Sequence, residues 1–87
     1  MDNTKIIFYG AQWCGDCQRT KFLLEKNNVK YEYHDIDENP EALEYVKSVN
    51  PNGFASVPVL VINAEGKEEI MIEPKPEELQ RLIGLTN

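Results

Sequence analysis

The sequence predicts an α/β fold with its elements in the order βαβαββα. Three features predict it: a strand, a helix and a strand within about 30 residues, a second helix with its own cap and proline, and a late pair of strands followed by a helix that opens at a proline. Two strands joined through a helix run parallel with a right-handed crossover. A chain of 87 residues has room for one compact domain spanning 1–87. With 41% hydrophobic and 28% charged residues, its composition is that of a globular protein. No repeat, low-complexity tract or linker interrupts it.

Lys5 to Tyr9 is an apolar, β-prone run ended by Gly10, as a buried central strand would be. After the loop Ala11-Gln12-Trp13, the residues from Cys14 onward form an amphipathic helix. Phe22, Leu23 and Leu24 alternate there with Arg19, Lys21, Glu25 and Lys26, and the helix ends near Asn27-Asn28. Tyr31 to Ile36 supplies the second strand. Asn39-Pro40-Glu41 reads as an N-cap, a proline at the first helical position and an acid in the first turn, opening a helix to about Val49. Beyond the turn Asn50-Pro51-Asn52-Gly53, a third strand runs from Val57 to Ile62, with Pro58 among its first residues, where a missing N–H is tolerated. Asn63-Ala64-Glu65-Gly66 turns the chain into an antiparallel partner, Glu68 to Ile72. Pro76-Glu77-Glu78 opens the last helix, with Leu79, Leu82 and Ile83 facing inward.

Charge and cysteine usage narrow the function. Fifteen acidic against nine basic side chains give a formal charge of −6, which repels nucleic-acid phosphates and anionic membrane surfaces. It does not exclude a small anionic substrate, because local cations such as Arg19 and Lys21 outweigh distant charge across a screening length of about 8–10 Å. The stretch Met1-Asp2-Asn3-Thr4-Lys5 reaches only the short run Ile6-Ile7-Phe8-Tyr9, too short for a signal-peptide core or a membrane span, so a cytoplasmic protein is expected. Two cysteines so close together cannot make a framework of structural disulfides, which points to chemistry at the pair itself.

That pair lies in Trp13-Cys14-Gly15-Asp16-Cys17, a C-x-x-C between a buried strand and a helix. At the helix start, the Cys14 sulfur meets unpaired N–H groups and the positive end of the helix dipole, which favour the thiolate, the attacking species. Two intervening residues in a helical turn bring Cys17 close enough to attack a mixed disulfide on Cys14 within the molecule. Cys14 is therefore the expected nucleophile and Cys17 the resolving thiol. Asp16 opposes further negative charge beside it, which favours a more reducing couple. A structural zinc needs four ligands, of which this pair supplies only two, and the single histidine, His34, falls within the second strand, so no metal site is expected. Two inert core cysteines are equally disfavoured in a glycine-flanked loop.

Taken together, Tyr9, Trp13-Cys14-Gly15-Asp16-Cys17, Lys21, Asp35-Ile36-Asp37 and Val57-Pro58 resemble a glutaredoxin along nearly the whole chain. The Trp-Cys-Gly-x-Cys form, Ser48-Val49-Asn50 and Glu73-Pro74-Lys75-Pro76-Glu77-Glu78-Leu79 are most similar to mycoredoxin-like glutaredoxins of bacteria. The resemblance implies a thioredoxin-like fold, with a four-stranded mixed sheet flanked by three helices and Pro58 in a cis peptide bond facing Cys14. It also implies that the Val57 backbone N–H and C=O pair with a substrate cysteine like an added strand. Trp13 would pack beside the site, and Lys21 would lie near the group contributed by a low-molecular-weight thiol. The family's glutathione binders usually carry a Gly-Gly-x-Asp-like turn before the last helix, where this chain has Ile72-Glu73-Pro74-Lys75-Pro76, so glutathione and mycothiol both stay open.

The expected function is reduction of protein disulfides, or of mixed disulfides with a small thiol, by a monomer with no bound cofactor. Glutathione, mycothiol or a thioredoxin-reductase-like flavoenzyme would recharge it. The alternative is iron–sulfur cluster binding or transfer by a dimer, through Cys14 of each chain and two small thiols.

Overall fold

A computed structural model describes residues 4–86; Met1, Asp2 and Asn3 of the N-terminal stretch, together with Asn87, lie outside the described residues. The first apolar run becomes β1 (Lys5–Gly10), with Ile6, Phe8 and Gly10 buried on one face. It is followed by α1 (Gly15–Lys26), β2 (Glu32–Asp35), α2 (Pro40–Val49), β3 (Val59–Ala64), β4 (Lys67–Ile72) and α3 (Pro76–Thr86). The strands form one mixed sheet in the order β2-β1-β3-β4. β1 is parallel to β2 and antiparallel to β3, and β3 is antiparallel to β4. This is the βαβαββα order and mixed sheet that the sequence predicts.

Strand position accounts for composition. Val59, Leu60, Val61 and Ile62 of β3 are all buried, as an interior strand covered on both faces requires. Edge strand β4 instead carries the exposed charges Lys67, Glu68 and Glu69, which blunt it against pairing with another chain. Tyr9 stacks on Tyr45 of α2 at 4.9 Å, so α2 covers one face of β1. On the opposite face, Cys17 of α1 approaches Gly10. Phe8, Leu24, Leu60, Val46, Val59 and Leu82 are the large side chains that bind these layers into one core.

β2 is one residue shorter at each end than Tyr31 to Ile36, β1 runs one residue past Tyr9, and two differences from the sequence reading are larger. Val57 and Pro58 precede β3 instead of opening it: the Pro58 carbonyl accepts from Glu73 N–H at 2.8 Å, and the ladder begins where Val59 pairs with Tyr9 and Ile72. The four-residue turn shrinks to two, because Ala64 pairs with Lys67 and leaves Glu65-Gly66 as the connection. Both have positive φ, 53° and 80°, the pattern of the tight turn that matches strand twist.

Helix ends follow the local rules. Asn39 Oδ1 accepts from the N–H groups of Glu41 and Ala42 at 3.0 and 3.2 Å, capping α2. Asn39→Ala is therefore expected to lower stability by about 1 kcal/mol. Urea unfolding checks it as a shifted midpoint with an unchanged slope. Lys75 before α3 offers no capping side chain, and Glu78 Oε1 instead reaches back to the Lys75 N–H at 3.1 Å, half of a capping box. Among the described residues no helix is long and apolar enough to cross a membrane.

Candidate active site

Cys14 is the N-cap of α1, with extended backbone (φ −87°, ψ 111°). Its Sγ accepts the Cys17 N–H at 3.2 Å, one of the orphan donors at the helix start. On the other side the same sulfur donates to the Val57 carbonyl at 3.6 Å. The Val57–Pro58 bond is cis, as the glutaredoxin resemblance implies. The loop carrying Val57 is tied down from behind: Asn50, buried, donates through Nδ2 to the carbonyls of Val46 at 2.8 Å and Ser56 at 3.2 Å.

The two thiols differ in accessibility. Cys14 keeps 8% of its surface exposed and Cys17 only 1%. Burial pushes the Cys17 thiol up to about 12, helped by its hydrogen bond to Cys14 and, to a smaller degree, by the Asp16 charge; the Ala11 backbone offsets part of this. Cys17 therefore rests as a thiol at neutral pH.

Gly10 makes room for this arrangement. A β-carbon there would stand 2.8 Å from Phe8 Cε1 and 3.2 Å from both Cys17 Sγ and Tyr33 Cε1. The glycine that ends β1 thus lets the sulfur and two rings meet over one backbone position.

The remaining expected site residues occupy two flanks. Trp13 is 67% exposed, and its indole N–H donates to Asp37 Oδ2 at 2.7 Å. Asp37 is itself held, because its N–H donates to Oδ1 of buried Asp35 at 2.8 Å. Asp16 is exposed and paired with Arg19. Lys21 lies with its ammonium 4.2 Å from the centre of the Tyr33 ring. Beyond Asp16 and Pro58, a groove of about 630 Å³ runs between α1 and α3, walled by Phe22, Leu23, Pro74 and Leu79. Lys21 is not among its lining residues. Glu73 beside the groove has φ 47°, a left-handed conformation that favours glycine. His34 in β2 stacks on Tyr9 and pairs with Glu32 at 2.6 Å.

Asp37, Tyr33, Gly10 and Glu73 gain roles here that spacing alone did not reveal. Asp35 and Asp37 were visible as part of the family likeness. Tyr33 was legible only as a strand residue, because its nearness to Cys17 depends on the register that sets Phe8 opposite Tyr33.

This chain trace recurs in solved redox proteins. Oxidised thioredoxin from Plasmodium falciparum superposes with a TM-score of 0.68 at 21% identity, covering 95% of this chain and 80% of that one. The fold is thioredoxin-like. A glutaredoxin from Archaeoglobus fulgidus superposes with a TM-score of 0.66 at 30% identity, over 93% of this chain and 87% of that one. The glutaredoxin family model matches residues 6–66. A protein named as a glutaredoxin in Mycobacterium tuberculosis is 38% identical over 60 residues, 69% of this chain and 70% of that relative. The chain belongs to the glutaredoxin family and is a dithiol–disulfide oxidoreductase of that family. The family match ends before Glu73-Pro74-Lys75-Pro76.

Proposed function

We propose that this oxidoreductase reduces protein disulfides, and mixed disulfides with a small thiol, by a two-cysteine mechanism. The Cys14 thiolate attacks one sulfur of the substrate disulfide, and the other leaves as a thiol. Cys17 then attacks Cys14, releasing the second reduced sulfur and leaving a Cys14–Cys17 disulfide. A low-molecular-weight thiol such as glutathione or mycothiol, or a flavoenzyme of the thioredoxin-reductase kind, returns the pair to the dithiol.

The observation that carries this reading is the asymmetry of the pair: one sulfur caps the helix start and faces a backbone carbonyl, on a residue that keeps some of its surface exposed, and the other lies one turn inside on a residue almost fully buried. Once Cys14 is tied up in a disulfide it no longer donates to the Val57 carbonyl, which is then free to accept the N–H of a substrate strand. In this reading Trp13, braced by Asp37, forms one wall of that approach. Asp16 and the α1–α3 groove form the other, and Lys21 adds a nearby cation for an anionic thiol.

The test compares the wild type with Cys17→Ser on a protein disulfide and on a mixed disulfide. The variant should accumulate a stable mixed disulfide on Cys14, visible by mass spectrometry, and lose about tenfold or more of its protein-disulfide turnover. Full turnover of both substrates by Cys17→Ser would replace this mechanism with one that uses Cys14 alone.

A further inference from the structure

Tyr33 has no place in the mechanism so far, yet it forms one wall of the Cys17 compartment. Its hydroxyl is cut off from solvent and has no hydrogen-bond partner, a costly arrangement that native proteins rarely leave without a use. The ring is held on several sides. Phe8 meets it edge-on at 5.2 Å, the Lys21 ammonium caps its face at 4.2 Å, and its Cε1 shares with Cys17 Sγ the space above Gly10. Lys21 lies one helical turn beyond Cys17, so the residue that clamps the ring is carried by the same helix as the resolving thiol.

We propose that Tyr33 is the positioning residue of the resolving step: its clamped ring sets Cys17 against Cys14, and its unpartnered hydroxyl is the hydrogen-bond donor offered to the Cys17 sulfur as that thiol loses its proton. This rests on the two-cysteine reading above. Cys17 gives up its proton, and its electron pair forms the bond to Cys14. The bond between Cys14 and the substrate sulfur breaks, and that sulfur leaves with the bonding pair and takes up the proton that Cys17 lost, so that no net proton is released. The cysteine pair is oxidised by two electrons and the substrate sulfur is reduced.

A donor is needed because little else near Cys17 stabilises its thiolate. The loop contributes the Cys14 sulfur, which opposes it, and the Ala11 backbone, which favours it; α1 contributes Asp16, which opposes it. On β2 and just after it, Asp35 and Glu38 act on Tyr33 with the same sign as the two sulfurs and keep the phenol protonated, after burial, the largest cause. A phenol held protonated can donate, and Lys21 supplies the positive charge behind it.

The test uses the full chain and 5,5′-dithiobis(2-nitrobenzoate), read by stopped-flow absorbance from pH 6 to 10. The wild type should release two thionitrobenzoates in sequence, the first from attack by Cys14 and the second from resolution by Cys17. In Tyr33→Phe the second phase should slow about tenfold at pH 7 and its profile should move about one pH unit upward, while the first phase stays within about twofold. Site-specific 3-fluorotyrosine at position 33 keeps the shape and strengthens the donor, so its second phase should match or exceed the wild type, even if Tyr33→Phe folds poorly. A second phase in Tyr33→Phe with the wild-type rate and profile, equal slowing of both phases, or a fluorotyrosine variant as slow as an impaired one would overturn the proposal. A wild type that releases only one thionitrobenzoate would instead overturn the two-cysteine mechanism.

Discussion

Cys14→Ser is expected to lose disulfide reduction almost completely, with turnover falling at least about 1,000-fold, while the fold stays intact. Serine takes the same place at the start of α1 and can accept the Cys17 N–H as the sulfur does at 3.2 Å. It is among the best N-capping residues, so stability should hold or rise by a few tenths of a kcal/mol. The chemistry fails for a separate reason: a hydroxyl is almost wholly protonated near neutral pH and is a poor nucleophile toward sulfur, so no mixed disulfide forms. Cys17 does not substitute for it, because it is buried at 1% exposure and burial pushes its thiol up to about 12. Turnover of a protein disulfide, measured beside the melting temperature, separates the two effects. Residual turnover within tenfold of the wild type in a stable variant would remove Cys14 from the role of nucleophile.

How much of this was legible follows from which features are local. The element order came from local signals: the run before Gly10, the Asn39-Pro40-Glu41 cap and the prolines that open helices, and each matched the structure. The C-x-x-C was legible for the same reason, since two residues of helix bring its sulfurs together. Two kinds of feature were not. The start of β3 was misplaced by two residues, because Val57 and Pro58 direct their carbonyls to Cys14 and Glu73, and those partners are distant in sequence. The walls of the Cys17 compartment were also hidden. Phe8, Gly10 and Tyr33 meet only once β1 and β2 pair in parallel with Phe8 opposite Tyr33, and nothing local to any of them announces that register. Lys21 shows the same limit. Helical spacing places it on the α1 surface but does not say that its ammonium rests on Tyr33 rather than in the α1–α3 groove.

Phe8→Ala is expected to be the most damaging substitution in the core, costing about 3–5 kcal/mol. Phe8 is fully buried, with Tyr31 at 5.5 Å, Tyr33 at 5.2 Å and Leu60 as its neighbour across the β1–β3 ladder. Its ring edge also fills the space a β-carbon on Gly10 would need, 2.8 Å away. The strands on either side fix the backbone, so the site cannot collapse far and much of the ring's volume becomes a void. Domains of this size have only about 5–15 kcal/mol of stability, so the melting temperature should fall by more than about 12 °C. The void also opens beside Cys17, where burial is the largest cause of the raised thiol. Any water that enters lowers that barrier to ionisation, so Cys17 in the Phe8→Ala, Cys14→Ser double variant should be alkylated by iodoacetamide at lower pH than in Cys14→Ser alone. Phe8→Leu, which keeps most of the volume, should cost about 1 kcal/mol and leave the alkylation profile in place. A loss below about 1 kcal/mol in Phe8→Ala would mean that Tyr31 and Tyr33 close over the gap, and Cys17 should then keep its wild-type profile. Stability and thiol ionisation move together in either case, because the Phe8 ring and the Cys17 sulfur belong to one buried cluster around Gly10.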